Sequence, residues 1–203
     1  MKAIIFVPTK NGGAVWRESI SSIRSQVEKL TDVIVVDSLS SDDTALIAKE
    51  NNFHVVSISP AEFGHGKTRN LAMEYIDDVD IIIFLTQDAI LQTPYALKNI
   101  LDFFKEDEFI AAVCGRQVPH NDANPLAIHA RDFNYPDESS VKSLKDIKHF
   151  GIKTVFMSNS FAAYRTRAFK EIGGFPENVI LAEDMYLSAK FILAGYKVGY
   201  CAE

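Results

Sequence analysis

The sequence has only two cysteines and no long apolar run, and both features limit the classes of protein to which the chain can belong. Two cysteines occur in 203 residues, Cys114 and Cys201, and neither has a second Cys or a His at the spacing of a metal site. We interpret both as buried, reduced thiols. No apolar segment is long enough for a secretory h-region or a membrane span. The sequence therefore predicts a cytoplasmic protein and leaves open a peripheral contact with the inner face of the cell membrane.

A basic face and several catalytic signatures are also missing. The formal net charge is −6, so the sequence predicts no nucleic-acid partner. No Gly-x-Ser-x-Gly motif occurs, which argues against a serine hydrolase, and no Gly-x-Gly-x-x-Gly follows the first apolar run. Gly66-Lys67-Thr68 resembles the end of a P-loop, but Ala61 stands where that loop needs its first glycine. These absences leave a nucleotide site of another kind, or none.

Strand and helix patterns alternate along the first 116 residues. The predicted strands are Ala3–Val7, Val33–Val36, Phe53–Ser57, Asp80–Thr86 and Phe109–Arg116. The predicted helices cover about 14–28, 44–51, 67–76 and 94–104. Alternation of this kind predicts an α/β fold with a mainly parallel, mixed sheet flanked by helices on both faces.

The pattern changes after residue 116. Residues 117–153 are polar and punctuated by proline, which predicts a long, partly helical excursion. Order returns over 154–157 and 160–164, followed by helices over about 167–172 and 182–193 and a last strand. We expect one domain over 1–203, with a change of pattern between 1–116 and 117–203. The last strand has no polar tail after it, so we expect a C-terminal truncation.

Two predicted strands end on a carboxylate, and these are the first candidate site residues. Asp37 follows Val33–Val36, and Asp88 follows the run that ends at Thr86. The carboxyl ends of parallel strands open onto the ligand crevice, and a charge there is costly unless it binds something. The expected ligands are a nucleotide base or sugar hydroxyl for one carboxylate and a divalent metal for the other.

Three further features suit a metal–diphosphate ligand and a base. Gly64 and Gly66 would let the backbone approach a ligand, and Lys67 or Arg69 could reach a diphosphate. Arg116 ends the fifth strand and could neutralise phosphate. Glu183-Asp184 begins a helix, where the pair fits either helix capping or a general base. The residues alone do not separate sugar transfer from nucleotidyl transfer or phosphate hydrolysis.

Seven short motifs occur in order along nearly the whole chain. They are Pro8-Thr9 with Asn11, Asp37-Ser38-x-Ser40-x-Asp42-x-Thr44, Phe63-Gly64-His65-Gly66-Lys67-Thr68-Arg69-Asn70, Phe84-Leu85-Thr86-Gln87-Asp88-Ala89, Gly115-Arg116-Gln117, Gly173-Gly174-Phe175-Pro176 and Glu183-Asp184. In this order they resemble the family 2 glycosyltransferases. The third and fourth motifs resemble the rhamnosyltransferase-like group. The resemblance implies a GT-A fold, with a Rossmann-like, nucleotide-sugar-binding half (1–116) and an acceptor and catalytic half (117–203).

The resemblance also implies roles for individual residues. Asp184 matches the catalytic base. Asp88 matches the last acid of an Asp-x-Asp metal motif, but Thr86 stands where the first acid is usual, which leaves one carboxylate for Mg²⁺ or Mn²⁺. The implied donor-binding residues are Pro8, Thr9, Asn11, Asp37, Ser38, Gly66, Lys67, Arg69, Asn70, Gln87 and Arg116.

The implied reaction is an inverting sugar transfer from a nucleotide diphosphate to an acceptor hydroxyl. The expected donor is dTDP-L-rhamnose or a UDP-sugar, and the expected acceptor is a glycan or lipid-linked glycan in surface polysaccharide biosynthesis. Family members carry a C-terminal segment with a metal-binding His, which we expect to lie beyond Glu203. A nucleotidyltransferase and an inactive nucleotide-sugar-binding module are the alternatives.

Overall fold

The computed structural model describes residues 1–27, 32–119 and 123–203. Its strands are β1 (Ala3–Thr9), β2 (Asp32–Asp37), β3 (His54–Ser57), β4 (Ile81–Leu85), β5 (Ile110–Gly115), β6 (Ser140–Lys142), β7 (Phe161–Arg165) and β8 (Lys197–Cys201). Its α-helices are α1 (Gly13–Arg24), α2 (Thr44–Glu50), α3 (His65–Asn70), α4 (Ala96–Glu106), α5 (Pro125–Asn134), α6 (Ile147–Phe150), α7 (Thr166–Ile172) and α8 (Glu183–Leu193). Short 3₁₀ helices cover Leu71–Tyr75, Leu144–Asp146 and Gly151–Val155.

All eight strands belong to one sheet, in the order β3-β2-β1-β4-β7-β5-β8-β6. The first four strands in this order are mutually parallel, and β5 is parallel to β8. β7 lies between β4 and β5 and is antiparallel to both, and β6 is antiparallel to β8. The carboxyl ends of β1, β2, β3, β4, β5 and β8 therefore lie at one edge, together with the start of β7. This arrangement confirms the predicted mixed α/β sheet.

Helices cover both faces of the sheet, which explains why its central strands are apolar throughout. All five residues of β4 are buried. One core joins the sheet to α1, α2 and α4 through residues such as Trp16 and Ile100. The other joins it to α7 and α8, and there Phe84 makes edge-to-face contacts with Tyr164 and Phe175. A strand covered on both sides needs no polar face, as these runs show.

Several elements differ from the sequence patterns in extent or in type. The helix predicted over 67–76 is α3 followed by the 3₁₀ turn Leu71–Tyr75, and 154–157 contains the end of a 3₁₀ turn. The first predicted helix, over 14–28, ends at Arg24 in the structure, so the prediction is too long by residues 25–27, and Glu28 lies outside the described residues. The excursion is partly helical, as predicted, and no residue of α5 is buried. Within the described ranges, no helix is long and apolar enough to cross a membrane.

Candidate functional site

Asp37 lies at the end of β2, beside the last residue of β1. Its side chain is 2% exposed. One carboxylate oxygen accepts hydrogen bonds from the Thr9 hydroxyl (3.1 Å) and the Ser40 hydroxyl, and the other accepts from the Ser40 backbone N–H (2.8 Å). The neighbouring Ser38 hydroxyl is also buried, and it has no hydrogen-bond partner among the described residues. The hydrogen bonds of Asp37 thus fix the loop after β2, while the buried Ser38 hydroxyl makes no hydrogen bond to the described residues.

The loop after β1 is joined to the loops after β2 and β4. The Lys10 ammonium group donates to the carbonyl oxygens of Ser38 and Leu39, both at 2.6 Å. The Asn11 side-chain oxygen accepts from the Ser41 backbone N–H at 2.8 Å. The Gln87 amide bonds both backbone groups of Lys10, at 2.7 and 3.1 Å. Asn11 and Gln87 therefore hold these loops together, and their predicted donor contacts stay predictions.

Asp88 is exposed, and it faces a pocket of about 500 Å³ at the same sheet edge. Arg116, which directly follows β5, also lines the pocket, together with Ala127 and Arg131 of α5. Asp37 and Asp184 lie outside its lining. Among the described residues, no cluster of three or more His, Cys, Asp or Glu side chains could hold a metal ion. Asp88 is thus a single carboxylate in the lining of this pocket, which suits a cation only if the substrate supplies further ligands.

The residues of α3 pack against a later turn of the chain. A Cβ on Gly66 would lie 3.0 Å from the carbonyl carbon of Pro176 and closer still to its oxygen. The Asn70 side chain accepts from the Phe175 N–H (2.8 Å) and donates to the Phe175 carbonyl (2.9 Å). Lys67 is exposed. Gly66 and Asn70 therefore have structural partners within the chain, and their predicted donor contacts stay predictions.

Arg69 belongs to a buried polar network. Its Nη1 donates to Glu183 Oε1 (3.2 Å) and to the His65 carbonyl (3.0 Å). The Asn159 amide donates to the same Glu183 oxygen (3.4 Å) and accepts from the Tyr164 hydroxyl (2.7 Å). The guanidinium that the sequence assigned to the donor diphosphate therefore has an acidic partner inside the fold.

Asp184 lies in the first turn of α8 and is partly buried. One carboxylate oxygen accepts from the Asn159 backbone N–H (3.2 Å), and the other accepts from the Met185 N–H (2.8 Å). Burial raises the pKa of Asp184, and the Glu183 charge raises it further against these two hydrogen bonds and Arg69. The N-cap of α8 is Ala182, which makes no side-chain cap. A carboxylate with a raised pKa at the site edge suits a general base.

Sequence patterns did not identify Asn159 or Tyr164 as site residues. Asn159 contacts both acids of the Glu183-Asp184 pair, and Tyr164 fixes its amide. The available signal was the polar run at 158–160 between apolar neighbours. Ser158 in this run also accepts a hydrogen bond from the Gln117 amide at 2.7 Å. Asn159 thus connects the start of β7 with α8, and the neighbouring Ser158 connects it with the chain after β5.

Curated relatives match the chain over nearly its whole length. The O-antigen chain rhamnosyltransferase WbaN of Salmonella anatum is 54% identical over 200 residues, which are 98% of this chain and 63% of the relative. RfbN of Salmonella typhimurium, described in the same words, is 54% identical over an alignment of 204 positions, which covers 100% of this chain and 65% of the relative. The chain therefore spans less than two thirds of the length of either relative.

Solved structures show the same fold. TarS 1-349 of S. aureus superposes with a TM-score of 0.77 at 23% identity, covering 100% of this chain and 58% of the TarS 1-349 chain. PcManGT from Pyrobaculum calidifontis, a mannosyltransferase solved with GDP-Man and Mn²⁺, superposes with a TM-score of 0.71 at 20% identity, covering 99% and 56%. The profile described as "Glycosyl transferase family 2" matches residues 4–173. This match covers most of the chain, which therefore belongs to glycosyl transferase family 2 and has a GT-A fold.

Proposed function

We propose that this chain is the donor-binding and catalytic part of an inverting glycosyltransferase. The observation that carries the proposal is Asp184, a partly buried carboxylate with a raised pKa at the edge where the strands end. The sugar is proposed to be L-rhamnose, taken from dTDP-L-rhamnose and added to a surface polysaccharide. The names of the two relatives at 54% identity support this choice of sugar and product.

The nucleoside is proposed to bind where β1 and β2 end. Thr9 and Asp37 are held there by a hydrogen bond, and the neighbouring Ser38 hydroxyl is buried without a partner among the described residues. A buried polar atom without a partner is costly, and a hydrogen bond from a base or ribose would remove that cost. Pro8 and Asn11 lie on the same connection between β1 and α1.

Asp88 is proposed to supply one ligand of a divalent cation, Mg²⁺ or Mn²⁺. Oxygen ligands suit both ions, and the two phosphates of the donor would provide more of them. When bound, the cation would neutralise charge on the diphosphate leaving group. Arg116 lines the same pocket as Asp88 and is proposed to contribute positive charge on the other side of that group.

The acceptor is proposed to enter through the pocket beside Asp88. Residues of the excursion line this pocket, including Ala127 and Arg131 of α5. Asp184 would take the proton from the acceptor hydroxyl as its oxygen attacks the anomeric carbon. The bond from that carbon to the diphosphate breaks, and the nucleoside diphosphate leaves from the opposite side with inversion. The N–H groups of Asn159 and Met185 would hold the carboxylate in place during this step.

A thermal-shift titration tests the proposed donor site. The chain is titrated with dTDP, UDP, GDP and ATP, each with and without Mn²⁺, because a ligand that binds the folded state raises the melting temperature. We expect a Mn²⁺-dependent shift with dTDP that is lost in Asp88→Ala. A shift with ATP alone would contradict the proposal and favour a nucleotidyltransferase. Unchanged Mn²⁺ dependence in Asp88→Ala would place the metal elsewhere.

A transfer assay tests the proposed base. Asp184→Asn should abolish release of dTDP from dTDP-rhamnose in a version of the protein that extends to the full length of its relatives. It should leave the dTDP thermal shift nearly unchanged, because the base contacts the acceptor. Retained turnover would remove Asp184 from this role. No turnover in the unsubstituted protein, with dTDP still bound, would indicate an inactive binding module.

A peripheral membrane contact is proposed for one surface of the excursion. The Lys153 ammonium lies 3.8 Å from the centre of the Phe133 ring, and the Lys142 ammonium lies 5.1 Å from that of Phe150. Both rings are exposed, at 62% and 40%. Exposed aromatic rings beside lysines suit an anionic membrane surface at the cytoplasmic face. Sedimentation with phosphatidylglycerol vesicles, lost in a Lys142→Glu and Lys153→Glu double variant, would support this contact. Equal sedimentation of both proteins would contradict it.

A further inference from the structure

We propose that Arg69 and Glu183 form a positioning pair that holds the loop bearing Asn159 against Asp184 and balances the charge beside Asp184. The inference deepens the proposed function, since it rests on Asp184 being the base. It assigns Arg69 to the base in place of the predicted contact with the donor diphosphate.

The Arg69–Glu183 pair is buried, where a charged group loses its hydration at a cost in free energy. The side chains of Arg69 and Glu183 are 7% and 9% exposed, and their atoms approach to 3.2 Å. Desolvation of two charges commonly offsets their attraction, so a buried pair adds little to stability. The Arg69 Nε is also buried without a partner among the described residues, which adds a further cost. The stability of the fold therefore does not explain why this pair is present, whereas a role beside Asp184 explains it.

Asn159 connects the pair to Asp184 physically. Its side-chain amide donates to Glu183 (3.4 Å), and its backbone N–H donates to Asp184 (3.2 Å). The Tyr164 hydroxyl holds the amide oxygen of Asn159 at 2.7 Å. Because Glu183 and Asp184 are adjacent on α8, one residue of the opposite loop contacts both acids. A displacement of Glu183 would move Asn159 and with it the N–H that orients Asp184.

The pair also determines the charge around Asp184. Glu183 raises the pKa of Asp184, and Arg69 lowers it. Three other titratable groups face Asp184: Tyr164 from β7, Cys114 from β5 and Tyr135 after α5. Burial raises the pKa of all three, to about 12 for Cys114, so they are neutral at neutral pH. Glu183 and Arg69 are thus the charged neighbours that act on Asp184 within the described part of the chain, and their effects oppose each other.

Two substitutions should therefore shift the titration of Asp184 in opposite directions. Glu183→Gln removes the negative charge and leaves Arg69, so the pKa of Asp184 should fall. Arg69→Met leaves Glu183 unbalanced, so the pKa should rise. The double variant Arg69→Met and Glu183→Gln should return close to the unsubstituted protein. A pair that only stabilised the fold would shift the melting temperature without this change of sign.

The first readout needs no activity. The chain is labelled with ¹³C-aspartate, the Asp184 side-chain signal is assigned by its loss in Asp184→Asn, and its titration is followed by NMR in each variant. Circular dichroism confirms that each variant is folded. Arg69→Lys, which keeps the charge, is the control, and Arg69→Gln, which removes it, replaces Arg69→Met if that variant does not fold. In Arg69→Lys the titration should stay near that of the unsubstituted protein. Shifts of the same sign in the two single variants, or no shift, would overturn the inference.

A second readout separates this inference from the proposed function. In the full-length protein, the acidic limb of the kcat–pH profile should move to lower pH in Glu183→Gln and to higher pH in Arg69→Met. In Arg69→Lys it should stay close to that of the unsubstituted protein. The dTDP thermal shift should be unchanged in these variants. Loss of that shift in Arg69→Met would instead indicate that Arg69 contacts the donor diphosphate, as the sequence predicts. Full turnover in Asp184→Asn would refute the base itself, whatever the NMR titrations show.

Discussion

Replacing Gly66 with alanine should destabilise the protein by about 2 kcal/mol. Alanine is favoured over glycine inside a helix by about 1 kcal/mol, so this change in α3 would be stabilising if the space were free. The new Cβ would instead meet backbone atoms of Pro176, at 3.0 Å for the carbonyl carbon, and the Phe175 Cβ at 3.3 Å. Overpacking costs about 1–3 kcal/mol. We take the upper end because the Asn70 side chain fixes this backbone, which leaves a net loss of about 2 kcal/mol.

Urea denaturation and a melting curve measure this loss. For a chain of this length, 2 kcal/mol corresponds to a melting temperature lower by about 4–8 °C. Gly64→Ala is the matched control, because its φ of −163° suits any residue and its Cβ would be 3.4 Å from that of Lys67. As an N-cap substitution it should cost about 1 kcal/mol or less. Equal stability of the two variants, or weaker dTDP binding by Gly66→Ala at an unchanged melting temperature, would refute the packing argument and favour a ligand contact.

Three further predictions concern other parts of the molecule. Asp184→Asn should raise the melting temperature at pH 7, because burial raises the pKa of Asp184 and penalises its charged form. This gain should shrink as the pH falls from the folded pKa towards the unfolded value, and a constant gain between pH 4 and pH 8 would contradict it. Cys114 and Cys201, both buried, should react with a thiol reagent at pH 8 only after denaturation, and rapid labelling of the folded chain would show that one is accessible. Asn124→Ala should destabilise α5 locally by about 1 kcal/mol and speed hydrogen exchange at Ala127, whose N–H it caps, and unchanged exchange would exclude that cap.

The sheet could be predicted from the sequence because its strands are short apolar runs between polar turns. β4 is the clearest case, since an unbroken run of five apolar residues ends at Thr86. Helix ends were harder to place. The pattern over 67–76 is continuous, but the chain changes from α to 3₁₀ geometry at Leu71, after Asn70 bonds to the distant Phe175 backbone. Such a contact has no local signal.

The site could be predicted only in part for the same reason. The strand-end positions of Asp37 and Asp88 follow from the alternation of strands and helices. Which atoms those carboxylates meet does not, and Asp37 is enclosed by Thr9 and Ser40. Arg69 is a stronger example, because its partner lies 114 residues further along the chain. A guanidinium beside two glycines fits a phosphate ligand in sequence, and only the fold brings it to the acid at the start of α8.

The position of β7 has a consequence for how the chain can be divided. β4 and β5 follow each other in sequence, but they are not neighbours in the sheet, because β7 pairs with both. A fragment that stopped at residue 116 would contain β1 to β5 but no strand to join β5 to the other four. The Ile-Ile-Ile-Phe-Leu edge of β4 would then be open to pairing with other molecules, which is a route to aggregation. The two halves can differ in the ligand they bind, but they have to fold together.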